Sequence, residues 1–146
     1  MTDIAKVTFS LPEDFLDRIS RLGAQTDEII PRVLEAGGEV VLARVKGNLQ
    51  AVIGAGKYPS RSTGELINSL GLSKARLKRD GSGWDIKVGF AESRKDGSSN
   101  AKLGNILEHG KSGQPARPFL KPAKSQSKKE AIAAMEAKLR EEIRKI

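Results

Sequence analysis

From Thr26 to Val52 apolar residues recur every three or four positions, at Ile30, Val33 and Leu34, Gly37, Val41, Val45, Leu49 and Val52. This spacing predicts one amphipathic helix of about 25 residues, opened by Thr26-Asp27-Glu28. It is the longest element in the chain, so the remaining elements have to be arranged to cover its apolar stripe. Two residues interrupt the pattern. Pro31 has no N–H, so it either lies in the first turn or kinks the helix. Gly37-Gly38 costs about 1 kcal/mol per residue relative to Ala, which suggests a close helix crossing. The polar face, with Arg32, Glu35, Glu39, Arg44 and Lys46, is mixed in sign.

On the N-terminal side, Ile4, Val7 and Phe9 suggest an edge strand over 4–9. Ser10-Leu11-Pro12-Glu13 reads as a capping box for a short helix with Phe15, Ile19 and Leu22 on one face, ended near Gly23. Beyond the long helix, Gly54 or Gly56 reads as a C-cap before a Tyr58-Pro59 turn. Ser62-Thr63-Gly64-Glu65 then opens a short helix holding Leu66, Ile67 and Leu70. Alternation over 72–78 predicts a strand with one wet face, and Asp80-Gly81-Ser82-Gly83 a turn. Trp84, Ile86, Val88 and Phe90 alternate strictly, predicting a second strand of a β-hairpin facing the long helix. Residues 92–100, with no apolar side chain, are expected to form a mobile loop, followed by a helix over 101–108. A terminal helix is expected over 127–146, capped by Ser127 and Glu130. Its narrow stripe is Ile132, Met135, Leu139, Ile143 and Ile146.

The expected fold is therefore α+β. A long N-terminal amphipathic helix packs on a small, mostly antiparallel β-sheet, and a C-terminal helix completes one domain over 1–146. No internal repeat or second domain boundary is evident. Aromatics are only 4% of the chain, so aliphatic residues must supply the core. There is no Cys, which excludes a disulfide framework and a thiolate nucleophile. The first residues carry charges where a signal peptide needs an apolar run. Unbroken hydrophobic runs such as Val40–Ala43 are far below a membrane span. A soluble protein made in the cytoplasm is expected.

Net charge is +8, and its distribution is uneven. Residues 1–110 carry 16 basic and 14 acidic side chains, and residues 130–146 balance four against four. The excess sits in 111–129, where Lys111, Arg117, Lys121, Lys124, Lys128 and Lys129 meet no acid. Two readings of this segment stay open: a solvated basic loop, or a surface that meets phosphates or an acidic partner. The segment overlaps Asn105–Ala123, which holds the only His and three of the six Pro. Gly110, Pro118, Phe119, Leu120 and Pro122 read as a structural corner, with Phe119 and Leu120 docking in the core between two prolines.

Chemistry finds little support. His109 is alone, so no His cluster can hold a metal, and a triad would need distant partners. Gly54-Ala55-Gly56-Lys57 fails the phosphate-loop pattern, because Ala51 replaces its first Gly and Tyr58 follows Lys57. It also follows a helix rather than a strand. No catalytic, cofactor or metal residue is expected. Lys74, Arg76, Lys78 and Arg79 form a second basic run, which permits backbone contact with DNA without specifying sequence.

The order of elements, with Ser62-Thr63-Gly64-Glu65-Leu66, Val88-Gly89-Phe90, Leu107-Glu108-His109-Gly110 and Pro115-Ala116-Arg117-Pro118-Phe119-Leu120-Lys121-Pro122-Ala123, resembles a phage family. It is similar to the tail-completion or head–tail joining (neck) proteins of long-tailed, lambda-like bacteriophages and their prophage relatives, from about residue 15 to 145. The most specific piece is A-R-P-F-L-x-P-A after E-x-G. An aromatic often precedes E-x-G in the family, where Leu107 stands here. The resemblance implies a non-enzymatic virion assembly subunit without cofactor, joining the tail tube to the head connector as a ring. It would work in the host cytoplasm during assembly and then in the virion. Its partners would be its own copies, tail-tube and head-connector proteins. The alternative is a basic accessory protein that binds the phosphate backbone of DNA.

Overall fold

A computed structural model describes residues 6–21, 26–54, 65–90, 100–110, 112–113 and 115–145. It has an α+β fold in which two long helices pack along each other and against a small antiparallel sheet. The elements run β1 (Lys6–Ser10), α1 (Glu13–Ser20), α2 (Thr26–Gly54), α3 (Glu65–Asn68), β2 (Leu70–Leu72), β3 (Arg76–Leu77), β4 (Trp84–Phe90), α4 (Asn100–His109) and α5 (Leu120–Arg144). β4 is central, with β1 on one side and β2 and β3 on the other, all antiparallel. The expected boundaries at Ile4, Leu22, Gly23 and Gly56, the 62–64 cap and nearly all of the 92–100 loop lie outside the described residues.

α2 is the predicted long helix, and it buries more than one stripe. Ile30, Val33, Leu34, Val41, Val45 and Leu49 are fully buried, because α2 touches both α5 and the sheet. Gly37 and Gly38 divide this work. A Cβ on Gly37 would stand 2.7 Å from Met135 Cγ on α5. On Gly38 it would stand 2.9 Å from Leu72 Cδ2, and so against the sheet. The glycine pair thus marks a helix crossing and a helix-to-sheet contact in successive residues. Pro31 lies inside the helix rather than in its first turn. The Asp27 carbonyl therefore has no helical N–H to accept from.

Around α2, three local expectations fail for identifiable reasons. The Ser10/Glu13 capping box does not form: the N-cap is Pro12, with no side-chain cap, and Ser10 belongs to β1. The strand over 72–78 is two pieces, since Leu72 pairs with Val88 but Arg76 pairs with Asp85. Three residues, 73–75, therefore face two, 86–87, which is a β-bulge. Ser73 bridges it, its N–H donating to Lys87 O (2.8 Å) and its Oγ accepting from Lys87 N–H (2.9 Å). The strand also starts earlier than expected, at Leu70, so α3 ends at Asn68. The turn over 80–83 closes the hairpin with Gly81 at φ 74°. There Asp80 Oδ1 accepts from both N–H and Oγ of Ser82, which holds the Asp80 carboxyl below its ordinary range.

The last helix differs most. It begins at Leu120 rather than Ser127, and Ser127 is a buried mid-helix residue whose Oγ donates to Ala123 O at 2.6 Å. Its buried side is Leu120, Ala123, Ser127, Ala131, Met135, Leu139 and Glu142. Of the expected stripe, Met135 and Leu139 are buried, Ile132 is partly buried and Ile143 is exposed. At Gly37 the helices come close enough that the Met135 side chain and the Ala131 carbonyl would both touch an added Cβ.

Two ion pairs fasten the far half of α5, one to α1 and one to α2. Arg18 donates through both terminal nitrogens to Glu136 at 2.6 and 2.8 Å, holding that carboxyl below its ordinary range. Arg32 reaches the buried Glu142 Oε2 at 3.1 Å. Glu142 Oε1 accepts no hydrogen bond but lies 3.8 Å from both Lys138 and Lys145 Nζ.

α4 crosses the end of β4 through Gly104, where a Cβ would overlap the Phe90 ring. That ring stands edge-on to Phe119, centroids 6.1 Å apart, so it cannot swing away freely. Gly104→Ala is expected to cost about 1–3 kcal/mol from overpacking, despite the better helix propensity of Ala. A lowered thermal unfolding midpoint is the check. Among the described residues no helix is long and apolar enough to cross a membrane.

Candidate functional site

The corner between α4 and α5 is built by one carboxylate. α4 ends where Gly110, at φ 78°, donates its N–H to Ile106 O at 2.7 Å. Glycine suits this left-handed position after a helix. The chain then returns, and Arg117 N–H reaches Leu107 O at 2.7 Å. Phe119 becomes the N-cap of α5 but, having no polar side chain, cannot cap it.

Glu108 supplies the cap from eleven residues upstream. Its Oε1 accepts the N–H groups of Phe119 (2.8 Å) and Leu120 (2.7 Å), and Oε2 accepts that of Lys121 (3.1 Å). A helix start leaves four N–H groups without helical partners. Here three end on Glu108, and the fourth position is Pro122, which has none. Pro122 is thus the third helical residue rather than part of a loop leading to the helix.

This accounting also explains why α5 tolerates its charges. Lys121 and Lys124 sit near the positive end of the helix dipole, and the first turn contains no acid. The buried Glu108 carboxylate, 7% exposed, provides the compensating charge. It also occupies the N–H groups that would otherwise receive an external phosphate.

Phe119 and Leu120 are 0% and 3% exposed. Asn48 Nδ2 donates to Phe119 O at 3.3 Å and to Gln126 Oε1 at 3.0 Å. Arg44 Nε also donates to Gln126 Oε1, at 3.1 Å, so the start of α5 is tied to the second half of α2. Pro118 is exposed, as are Pro115 and Ala116.

Of the basic residues singled out, Lys111 lies outside the described residues. Arg117 is half-buried, and Lys121, Lys124, Lys128 and Lys129 are exposed. The four lysines belong to the first turns of a regular helix, not to a loop, whereas Arg117 precedes it. Spacings of three and four bring Lys121, Lys124 and Lys128 to one side, with Lys129 a step further round. The second run, Lys74, Arg76, Lys78 and Arg79, is not part of this surface. It lies at the β3 edge of the sheet, whereas α5 touches β1 at the other edge.

His109 is exposed and, among the described residues, its imidazole makes no hydrogen bond or ion pair. It is not part of the packed corner. Gly54 is the last residue of α2, and Ala55, Gly56 and Lys57 lie outside the described residues. No group of three or more His, Asp or Glu among the described residues is placed to hold a metal ion.

The residue that sequence reasoning missed is Glu108. A signal was available: a segment entering a helix as Phe119-Leu120-Lys121-Pro122, with no Ser, Thr, Asp or Asn before it, needs an acceptor from elsewhere. Glu108 is the last acid before an acid-free stretch that runs to Lys129.

A family model described as "Bacteriophage HK97-gp10, putative tail-component" matches residues 13–110, well over half of the chain. The matched region contains the Glu108-His109-Gly110 element and stops before Ala116–Ala123. No curated protein and no solved structure matches.

Proposed function

The chain belongs to the HK97-gp10-like family of bacteriophage tail components, and from that premise we propose that it is a tail-completion or neck subunit. In this reading it joins the phage tail tube to the head connector as a ring, without enzymatic activity. It acts in the host cytoplasm during assembly and remains in the virion. Its partners are its own copies and the tail-tube and connector proteins. The observation that carries the reading is the family match across α1 to α4. The exposed lysines of α5, with Arg117, Lys111 and the corner, are the proposed contact surface.

The reading is tested by electron microscopy of particles assembled without this chain. Filled heads without tails, beside free tails, are the expected result; normal joined virions would overturn it. In the complemented system, Lys124→Glu is expected to leave the unfolding free energy within about 0.5 kcal/mol of wild type, as for surface changes generally, while reducing the yield of joined particles. An unchanged yield would remove Lys124 from the contact surface.

A second reading, non-specific DNA contact, is favoured by the same row of exposed lysines on α5. It requires binding that weakens steeply with salt, which a gel shift at two salt concentrations decides. Against it stands Glu108, which already occupies the helix N-terminus.

A further inference from the structure

The two ends of the α2–α5 pair differ in charge. Because the helices run antiparallel, the second half of α2 lies beside the start of α5, as the bonds from Arg44 and Asn48 to Gln126 show. That end exposes Lys121, Lys124, Lys128 and Lys129, next to the exposed Pro115, Ala116 and Pro118. At the other end, the first half of α2 exposes Asp27, Glu28, Glu35 and Glu39. Arg32, the one base among them, is engaged by Glu142.

Glu35 and Glu39 also stand on the wall of an open groove of about 540 Å³ between α2 and the sheet. The apolar part of its lining comes from Pro31, Leu72, Ala75 and Ile86. One end of the molecule therefore has a partly apolar groove with Glu35 and Glu39 on its α2 wall and Ser73 and Lys74 on its sheet side, two acids against one base. The other has an exposed Pro/Ala segment followed by the α5 lysines.

We propose that these surfaces bind each other head to tail between copies of this chain, the Pro115–Pro118 corner and the α5 lysines of one copy seating in the Glu35/Glu39 groove of the next. They cannot meet within one copy. Glu35 and Asn48 are thirteen residues apart on a single helix, which separates the two ends by about 20 Å at 1.5 Å per residue. The contact is heterologous, with different patches on the two sides, and such contacts generate rings when their rotation closes. Charge complementarity sets the orientation, and the apolar groove supplies area to bury. The proposal rests on the assembly reading for its biological sense, but its chemistry is tested without any other phage protein.

The experiment is sedimentation velocity of the purified full chain across a wide concentration range, at low and high salt. Wild type is expected to self-associate at low salt and to dissociate as salt screens the exposed charges. The variants Glu35→Lys/Glu39→Lys and Lys124→Glu/Lys128→Glu should each raise the dissociation constant about tenfold or more. An equimolar mixture of the two should associate again, since each groove then meets an opposite charge. The neutral variants Glu35→Gln/Glu39→Gln and Lys124→Gln/Lys128→Gln should shift association in the same direction by less, and they serve if a reversal unfolds the chain.

Wild type that stays monomeric at every concentration in low salt overturns the proposal, as does a mixture that fails to recover. Lysine variants that lose DNA binding but associate like wild type also overturn it. A monomeric chain that still completes particles would remove this contact and leave the assembly reading standing. An associating chain that particles do not need would do the reverse.

Discussion

Phe119→Ala is expected to lower the unfolding free energy by about 3–5 kcal/mol, the range for an aromatic removed from a packed interior. Phe119 is fully buried, and its ring meets Phe90 edge-on at 66°. Losing it opens a cavity where β4, α4 and the start of α5 converge, so neighbouring side chains have no single element that can collapse into the gap. Phe90 loses its edge-on partner as well, a contact that adds about 0.5–1.5 kcal/mol beyond area burial. Urea unfolding followed by circular dichroism measures the change, with the slope against denaturant kept as the check that only stability moved. A loss below about 1 kcal/mol would contradict the packing described above. Phe119→Leu keeps part of the volume and is expected to cost less.

Glu108→Ala is expected to cost about 3 kcal/mol, which exceeds an ordinary helix cap. A lost N-cap side chain typically costs about 1 kcal/mol, and hydrogen bonds to charged groups contribute about 1.5–3 kcal/mol each. Here one carboxylate accepts three N–H groups, and at least those of Phe119 and Leu120 lie in buried residues. Without it they lose both the acceptor and the compensation for Lys121 and Lys124. Glu108→Gln separates these effects. Its amide oxygen can still accept from Phe119 and Leu120, while its NH2 group would face the Lys121 N–H, donor against donor. An intermediate loss is expected, together with local opening at the start of α5. Hydrogen exchange at Leu120 and Lys121 should accelerate in both variants, more in the alanine. Unchanged exchange there would show that Glu108 is not the cap.

The elements most legible in the sequence were those whose pattern repeats over many residues. The stripe from Ile30 to Leu49 specified α2, and the alternation from Trp84 to Phe90 specified β4. The Asp80–Gly83 turn between two alternating runs specified the hairpin, because few residues other than glycine suit the turn at Gly81. Less legible were features decided by a single partner. The bulge at Ser73–Ala75 depends on one serine hydroxyl replacing a ladder carbonyl, and nothing in the local alternation announces an extra residue. The three expected capping boxes followed a spacing rule that says where a cap can form, not where the helix begins. Ser10 was taken up by a strand and Ser127 lies in mid-helix, while Ser62 lies outside the described residues. For the candidate surface, the sequence located the basic residues but not their geometry. A segment containing Pro118 and Pro122 reads as loop, yet the second proline sits in a helix whose start needs no N–H from it.

Taken alone, the sequence determined the long helix, the central strand, the hairpin and the uneven placement of charge, because each is written in residues close along the chain. Tertiary structure decided which glycine meets which neighbour, where α5 begins, and that its lysines stand on a helix. Those outcomes rest on contacts across many residues, such as Glu108 with Leu120 or Gly37 with Met135. A carboxylate can cap a distant helix only after the chain has brought the two together, and no local rule encodes that meeting.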